Sequence, residues 1–298
     1  EYDSAVAEVE AGFNFENGVK GNVYSSHTDA LISQLIDQIA AEKNISKTAA
    51  ETYLNTSGLK IYSTQDVDIQ KIMEDEMSES RYILSGKDTS GNDVTAEAAA
   101  VVIDPETGYV VGAVGQLGEK TTARGLNRIN SPRQTGSSIK PLSDVLPGIE
   151  EGIITPATIY LDTRTTFGGT WTPKNYNRYT GKRTVRSALT TSQNIPFIKI
   201  QAELTPAKGI EYLKKMGVST LDDQKDNNLA SVAIGGFTYG ISPLEMAAAY
   251  AMISNDGVYI KPTFYTKAVD SNGNTVLEPS QTTERVCSVQ TAYIVKDL

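Results

Sequence analysis

The residue types best suited to catalysis are a serine and a lysine, Ser137 and Lys140, three positions apart. Pro141 has no N–H and fits a helix only in its first turn, so we predict a helix that begins close to Ser137. Residues three apart share a helix face, which would let the two side chains meet. A helix start also offers N–H groups to a developing oxyanion. Its positive end and burial both lower the pKa of a lysine, and a neutral lysine can take the proton of a serine hydroxyl.

The same four-residue spacing also occurs at ordinary helix starts, where a serine caps the helix and the lysine faces solvent. A second copy, from Ser57 to Lys60, contains Gly58 and precedes a strand-like run, and we interpret it as chance. Histidine offers no better base, because the chain has one histidine, His27, and nothing near it indicates catalysis. We expect His27 at the surface or beside a helix cap. A serine enzyme with this sequence would therefore use lysine as its base.

Composition is typical of a soluble globular protein. The chain has 298 residues, of which 39% are hydrophobic and 21% are charged, enough for one large domain or two moderate ones. The net charge of −9 argues against a nucleic-acid partner. No apolar run approaches the roughly 20 residues that a membrane-spanning helix needs. With one cysteine, Cys287, and one histidine, the chain cannot form an internal disulfide or a Cys/His metal site.

Hydrophobic periodicity predicts a chain of mixed helices and strands. We expect helices near residues 28–39, 46–54, 66–77, 137–152, 184–192, 197–204, 206–216, 242–254 and 289–298, and strands near residues 59–64, 98–104, 109–115, 258–260 and 265–269. The apolar strands over residues 98–115 should form a hairpin in the middle of a sheet. Ser242, Pro243 and Glu245 form a capping-box sequence at the start of their helix.

Two further segments could contribute to a serine site. The triplet Ser192-Gln193-Asn194 follows a predicted helix, and such a triplet alone is most often a helix-end cap. The loop-rich segment 155–182 contains the only tryptophan, Trp171. Aromatic and polar loops can shape a substrate cleft, but the same residues suit a surface loop that a tryptophan anchors.

The order of these segments resembles the transpeptidase part of class A penicillin-binding proteins, bifunctional enzymes that build bacterial peptidoglycan. Residues 133–141 are similar to the family pattern R-Q-x-G-S-S-x-K-P, and residues 192–194 resemble its second motif, S-D-N or a variant. Residues 171–176 resemble the family's W-x-P-x-N-Y, and residues 240–250 resemble G-V-S-P-L-E-M-A-x-A-Y. Their order and combination are far more specific than any one triplet.

The resemblance implies two segments and a fold. Residues 1–58 resemble the linker between the glycosyltransferase and transpeptidase domains, and residues 59–298 resemble the penicillin-binding transpeptidase domain. The implied fold is α+β and serine β-lactamase/transpeptidase-like, with an antiparallel sheet flanked by helices and a helical subdomain. The implied location is the extracytoplasmic face of the bacterial cell membrane, with an N-terminal anchor that this chain does not contain. A glycosyltransferase domain of the parent chain is an implied partner.

The resemblance also implies a mechanism. Ser137 would attack the peptide bond between two D-alanines of a peptidoglycan stem peptide, and Lys140 would take its proton. Ser192 would pass a proton to the departing D-alanine. Asn194 would bind the substrate backbone and hold Lys140 in place. A second stem peptide would then accept the acyl group.

The implied ligands are stem peptides that end in D-Ala-D-Ala and β-lactam antibiotics, which acylate the same serine. Trp171, Asn175 and Tyr176 would line the substrate cleft. No metal ion or organic cofactor is implied, and no nucleic acid.

The third family motif, K-T-G, does not occur in the sequence. In the family it lies a few tens of residues after the helix that residues 291–293 resemble, so we expect the C-terminal strands of the sheet to be missing. In the family, the strand that carries K-T-G supplies an N–H donor to the oxyanion, and the loss of one such donor costs about 2.7–4 kcal/mol. We therefore expect weak or no activity from this chain alone. A serine β-lactamase, a β-lactam sensor and an inactive scaffold remain alternatives.

Overall fold

A computed structural model describes residues 23–298 of the chain. Residues 1–22, the first part of the predicted linker, lie outside the described residues. The helices are α1 (Ser26–Lys43), α2 (Lys47–Thr56), α3 (Val67–Met77), α4 (Leu146–Glu150), α5 (Val185–Thr190), α6 (Asn194–Leu204), α7 (Pro206–Lys215), α8 (Leu229–Ile234), α9 (Pro243–Ser254) and α10 (Val289–Asp297). The strands are β1 (Lys60–Ser63), β2 (Ser85–Lys87), β3 (Asp93–Thr95), β4 (Ala100–Ile103), β5 (Val110–Val114), β6 (Ile159–Asp162), β7 (Gly181–Thr184), β8 (Val258–Ile260), β9 (Tyr265–Val269), β10 (Thr275–Leu277) and β11 (Thr283–Arg285).

The strands form small antiparallel sheets between the helices. β9 lies between β1 and β10, while β8 pairs with β11, β2 with β3, β4 with β5 and β6 with β7. This is the mixed α+β architecture that the sequence predicts. The pair β6–β7 lies in the segment that we expected to be loop-rich, and it was missed.

The hairpin of β4 and β5 does not lie in the middle of a larger sheet, and that expectation is wrong for residues 23–298. Part of the backbone of β5 is satisfied by groups outside any strand. The side-chain amide of Gln70 on α3 accepts from the N–H of Ala113 and donates to its carbonyl, both at 2.9 Å. The N–H of Val110 donates to the carbonyl of Thr263 at 2.9 Å. A helix side chain and a loop thus take the place of a neighbouring strand.

Two hydrophobic clusters hold these elements together. One cluster packs the segment after Ser137 against α6, α7, α8 and α9, with Ile139 and Phe197 among its fully buried members. The other packs α1 against β5 and β9 through residues that include Leu35 and Tyr265. The described part of the predicted linker therefore shares a core with β9. The predicted boundary at residue 58 stays a prediction.

Helix α9 fixes the turn that carries Ser137. The predicted capping box is present, because the Ser242 hydroxyl accepts from the Glu245 N–H at 3.3 Å and the Glu245 carboxylate accepts from the Ser242 N–H at 3.0 Å. Further along α9, the Tyr250 hydroxyl donates to the Ser138 carbonyl at 2.6 Å. A correctly started α9 therefore places a hydroxyl directly against the backbone of the serine turn.

His27 is fully buried, so a surface position is wrong, although the residue is cap-adjacent as expected, two positions after Ser25. Ser25 caps α1, and His27 packs edge-on against Phe264 with ring centroids 5.1 Å apart. Its Nε2 lies 2.7 Å from the Val110 carbonyl, which fixes that nitrogen as the N–H donor. Burial lowers the pKa of His27 to about 4. These partners are distant in sequence, which is why local patterns could not place the ring.

This burial predicts an acid-sensitive core. Because the pKa of His27 falls from 6.5 in the unfolded chain to about 4 in the folded one, its contribution to stability is intact above pH 6.5. That contribution is lost as the pH falls towards 4, by about 2–3 kcal/mol at pH 4.5. We expect urea unfolding to show that the free energy of unfolding falls more between pH 7.5 and pH 4.5 in the native chain than in His27→Gln. Equal losses in both proteins would contradict this account.

Candidate active site

The helix that carries the candidate nucleophile begins where the sequence predicts. Residues Gly136–Ile139 form a 3₁₀ turn, Pro141–Val145 a π turn, and α4 continues from Leu146. The Leu146 N–H donates to the Pro141 carbonyl, five residues back, so the register is not that of a uniform α-helix. Gly235 packs against this turn so closely that a Cβ there would lie 2.3 Å from the Gly136 carbonyl oxygen. The residue that ends α8 therefore packs directly against the turn that carries Ser137.

Lys140 is fully buried, whereas Ser137 is exposed. The Lys140 amine donates to the Ser192 carbonyl at 3.0 Å, the Ser192 hydroxyl at 3.3 Å, the Gln193 carbonyl at 3.1 Å and the Asn194 side-chain carbonyl at 2.9 Å. Ser137 Oγ is not among these acceptors. The predicted helix spacing therefore places the two residues in one turn, while the second motif holds the amine.

Burial lowers the pKa of Lys140 to about 8, and the charge of Asp144 opposes this effect. The amine also lies 5.2 Å from the centre of the Phe197 ring. Four oxygens favour the charged amine, while burial favours the neutral one. With a pKa near 8, about one Lys140 in ten is neutral at pH 7 and able to accept a proton.

Asp144 lies one turn after Lys140 and is fully buried. Within residues 23–298, neither of its carboxyl oxygens has a hydrogen-bond partner. Burial raises the pKa of Asp144 well above its usual range, which favours the protonated, neutral carboxyl. A neutral Asp144 would remove the carboxylate charge that raises the pKa of Lys140.

Ser192 has an unusual backbone that suits its position. Its φ angle of +52° lies in the left-handed region, which costs energy for a residue with a side chain. Its N–H donates to the Leu189 carbonyl at 2.9 Å, at the end of α5. This conformation lets both the carbonyl and the hydroxyl of Ser192 contact Lys140.

Asn194 is the first residue of α6, three residues before the start that we predicted from the interruption at Pro196. Pro196 fits because N–H groups of a first helical turn need no partner within the helix. The Asn194 side chain has two partners. Its carbonyl accepts from Lys140 at 2.9 Å and its amide donates to the Lys174 carbonyl at 2.9 Å. Asn194 therefore connects the amine to the loop of residues 171–176.

Asn175, predicted to contact substrate, is buried and fully engaged within the protein. Its side-chain carbonyl accepts from the N–H groups of Asn194 at 2.8 Å and Ile195 at 3.2 Å. Asn175 thereby caps α6, whose own cap residue Gln193 makes no side-chain cap bond. Its amide donates to the carboxylate of Asp162 at 2.7 Å. These bonds position the start of α6, and contact of Asn175 with substrate stays a prediction.

Asp162 is the residue that sequence reasoning missed. It is fully buried at the end of β6, and it also accepts from the Thr180 N–H at 2.8 Å and hydroxyl at 2.7 Å. One sequence signal could have found it. Asp162 is the only acid in residues 152–202, a segment with seven lysines and arginines. A single acid in such surroundings is a candidate for a structural partner.

Trp171 and Tyr176 lie on the same loop but outside the cluster around Lys140. Trp171 is half-buried and its ring centroid lies 5.9 Å from that of Phe167. Tyr176 is 97% exposed. Their contact with substrate stays a prediction.

The second Ser-x-x-Lys copy forms no comparable cluster. Ser57 ends α2, and Lys60 lies in β1 with its amine 5.0 Å from the centre of the Tyr62 ring. Lys60 is exposed, whereas Lys140 is fully buried. No group of three or more His, Cys, Asp or Glu residues within residues 23–298 could hold a metal ion.

The family model described as the penicillin binding protein transpeptidase domain matches residues 98–298. The chain belongs to this family. It is 33% identical over 259 residues to penicillin-binding protein 1F of Bacillus subtilis (strain 168), a match that covers 87% of the chain and 34% of the relative. It is also 33% identical over 291 residues to penicillin-binding protein 1A of Clostridium tetani, covering 92% of the chain and 37% of the relative.

This transpeptidase-family chain spans about a third of the length of these curated relatives. The solved structure of PonA1 from Mycobacterium tuberculosis in complex with penicillin V matches with a TM-score of 0.70 at 24% identity. That match covers 90% of this chain and 69% of PonA1, and it shows a shared fold. Among residues 23–298, no helix has the length and apolar character needed to cross a bilayer.

The hydrogen bond between Asp162 and Asn175 in this transpeptidase domain can be tested by exchanging the two residues. Asp162→Asn replaces one carboxylate oxygen with an amide donor that must face either the Asn175 amide or the Thr180 N–H, which leaves a donor unpaired at a cost of about 1–3 kcal/mol. Asn175→Asp brings two carboxylates together and should cost at least as much. The double swap again pairs an amide with a carboxylate, and residue 175 still offers an acceptor to the N–H groups at the start of α6. Much of the lost stability should therefore be recovered.

Urea unfolding of the four proteins of this cycle measures the coupling. Tyr176→Phe is the matched control, since its exposed side chain should change stability by less than about 0.5 kcal/mol. Additive losses in the double swap would refute direct coupling between residues 162 and 175.

Proposed function

We propose that the chain carries the acyl-transfer site of a peptidoglycan D,D-transpeptidase, with Ser137 as nucleophile and Lys140 as base. The observation that carries the proposal is the fully buried Lys140 amine, held by Ser192 and Asn194 and with its pKa lowered to about 8. Such burial favours the neutral amine that a base working near neutral pH needs.

The proposed reaction has two acyl transfers. Ser137 Oγ attacks the carbonyl carbon between two D-alanines of a stem peptide, and its proton passes to neutral Lys140. The C–N bond then breaks, and Ser192 passes a proton to the departing D-alanine amine. The amine of a second stem peptide attacks the ester on Ser137, and a new peptide bond forms as the serine regains its proton. The charged Lys140 amine returns the proton that Ser192 gives up, and the proton that the attacking amine loses goes to the Ser137 oxygen, so the site ends in its starting protonation state.

Two features of the site support this sequence of steps. Ser137 is exposed in the first turn of its helix, where a substrate can reach it and N–H groups are unused by the helix. Ser192 Oγ lies 3.3 Å from the Lys140 amine, close enough to exchange protons with it.

The wider setting follows from the relatives. The matched proteins are named as penicillin-binding proteins, and one solved neighbour is a complex with penicillin V. We therefore propose that β-lactams acylate Ser137 and that the parent protein acts on the outer face of the bacterial cell membrane. A glycosyltransferase domain in the same parent protein is part of this proposal.

Intact-mass spectrometry with excess benzylpenicillin tests the proposal. We expect one adduct per chain, on Ser137, in the native protein and in the matched control Ser57→Ala. Ser137→Ala should carry none. Incubation extends overnight, so that slow acylation is also detected.

Three results would contradict the proposal: an adduct that persists in Ser137→Ala, no adduct in any protein, or hydrolysis of the penicillin without a retained adduct. The last result would favour a β-lactamase.

A further inference from the structure

The charges of the chain are unevenly distributed. Residues 152–202 contain seven lysines and arginines and one acid, Asp162, a net charge of +6 in a chain whose total is −9. Asp162 is fully buried, and Asn175 and Thr180 occupy its carboxylate. The Asp162 carboxylate is therefore not available to repel an anionic ligand at the protein surface. The segment that contains Ser192 and Asn194 thus has a basic surface in an acidic protein.

Three of these cations meet in one pocket. Arg164, Lys174 and Arg178 line a cavity of about 430 Å³, and the other lining residues are neutral and polar: Thr172, Asn175, Asn177 and Tyr179. Among residues 23–298, no carboxylate lines this cavity. Among the ion pairs formed within residues 23–298, none involves any of these three cations. Three positive charges without a counter-charge favour an anionic ligand.

The pocket adjoins the acyl-transfer site through Asn194. The Lys174 carbonyl accepts from the Asn194 amide at 2.9 Å, and the Asn175 carbonyl accepts from the Asn194 N–H at 2.8 Å. Two lining residues are thus bonded to the residue that holds Lys140. A ligand in this pocket would lie beside the Ser192–Asn194 turn, where a peptide substrate must also lie.

We propose that Arg164, Lys174 and Arg178 form a subsite for a carboxylate of the peptide substrate, upstream of the bond that reacts. The proposal rests on the proposed transpeptidase function and adds a preference for acidic acyl donors. Arginine suits this role because its planar guanidinium donates two parallel hydrogen bonds to a carboxylate. The exposed setting makes each contact modest and sensitive to salt.

Binding to the Ser137→Ala protein tests the subsite without consuming the probe. The probes are two N-acetyl peptides that end in D-Ala-D-Ala and differ only in one upstream residue, glutamate or glutamine. By calorimetry at low salt, we expect the glutamate peptide to bind about fivefold to tenfold more tightly. Arg164→Gln or Arg178→Gln should each reduce this preference by about twofold to fivefold, and high salt should also reduce it.

Lys182→Gln is the matched control, because Lys182 is an exposed cation of the same segment outside the pocket. Equal affinity for the two peptides would overturn the proposal. The proposal would also be overturned if Lys182→Gln reduced the glutamate preference as much as Arg164→Gln or Arg178→Gln does. Such a result would mean that the preference comes from the overall positive charge of the segment and not from this pocket. Inorganic phosphate that binds the pocket as tightly as the glutamate peptide would indicate a general anion site and also overturn it.

The peptide and penicillin experiments separate the two proposals. A glutamate preference without a penicillin adduct on Ser137 would support the subsite and refute the acyl-transfer function. An adduct on Ser137 with equal affinities for the two peptides would support the acyl-transfer function and refute the subsite.

Discussion

The burial of the Lys140 amine is the constraint on which the rest of the site depends. A charged amine removed from water is costly unless other groups replace its hydration. Here one short segment, residues 192–194, supplies all four oxygens. Such convergence requires a left-handed Ser192 and a helix that starts at Asn194. The local irregularity of this segment therefore has a clear physical cause in the amine that it surrounds.

The support of that segment extends far from Lys140. Asn175 caps α6 from another loop, and Asp162 holds Asn175 in turn. The chain from β6 to the amine consists of short hydrogen bonds between buried or half-buried groups, where they are stronger than in water. On the other side, Gly235 and Tyr250 hold the turn of Ser137. The nucleophile turn and the base thus rest on separate supports that meet at Lys140.

The sequence predicted the features that depend on neighbours along the chain. The capping box at Ser242 and the helix start near Ser137 follow from local hydrogen bonds and from the missing N–H of Pro141, and the structure has both. The motif order also led to the family, which the family match confirms. Lys140 and Asn194 could be proposed together because the resemblance links their motifs.

Features that depend on partners distant in the sequence could not be predicted from local patterns. His27 is buried because Val110 and Phe264 surround it, and neither is near it in sequence. The polar atoms of Asn175 bond to Asp162 and to the N–H of Asn194, which lie 13 and 19 residues away in the sequence, so local patterns could not show these contacts. The hairpin of β4 and β5 was assigned to the middle of a sheet from its apolar residues alone. Its actual neighbour, the Gln70 side chain, is polar and comes from a helix.

The titration of the Lys140 amine tests the central claim most directly. Lysine labelled with carbon-13 at Cε reports the charge of each amine by NMR, and Lys140→Arg identifies the signal. The account predicts that Lys140 titrates near pH 8, whereas a lysine in solvent titrates near 10.5. A Lys140 signal that titrates with the exposed lysines near 10.5 would contradict the assignment of Lys140 as the base.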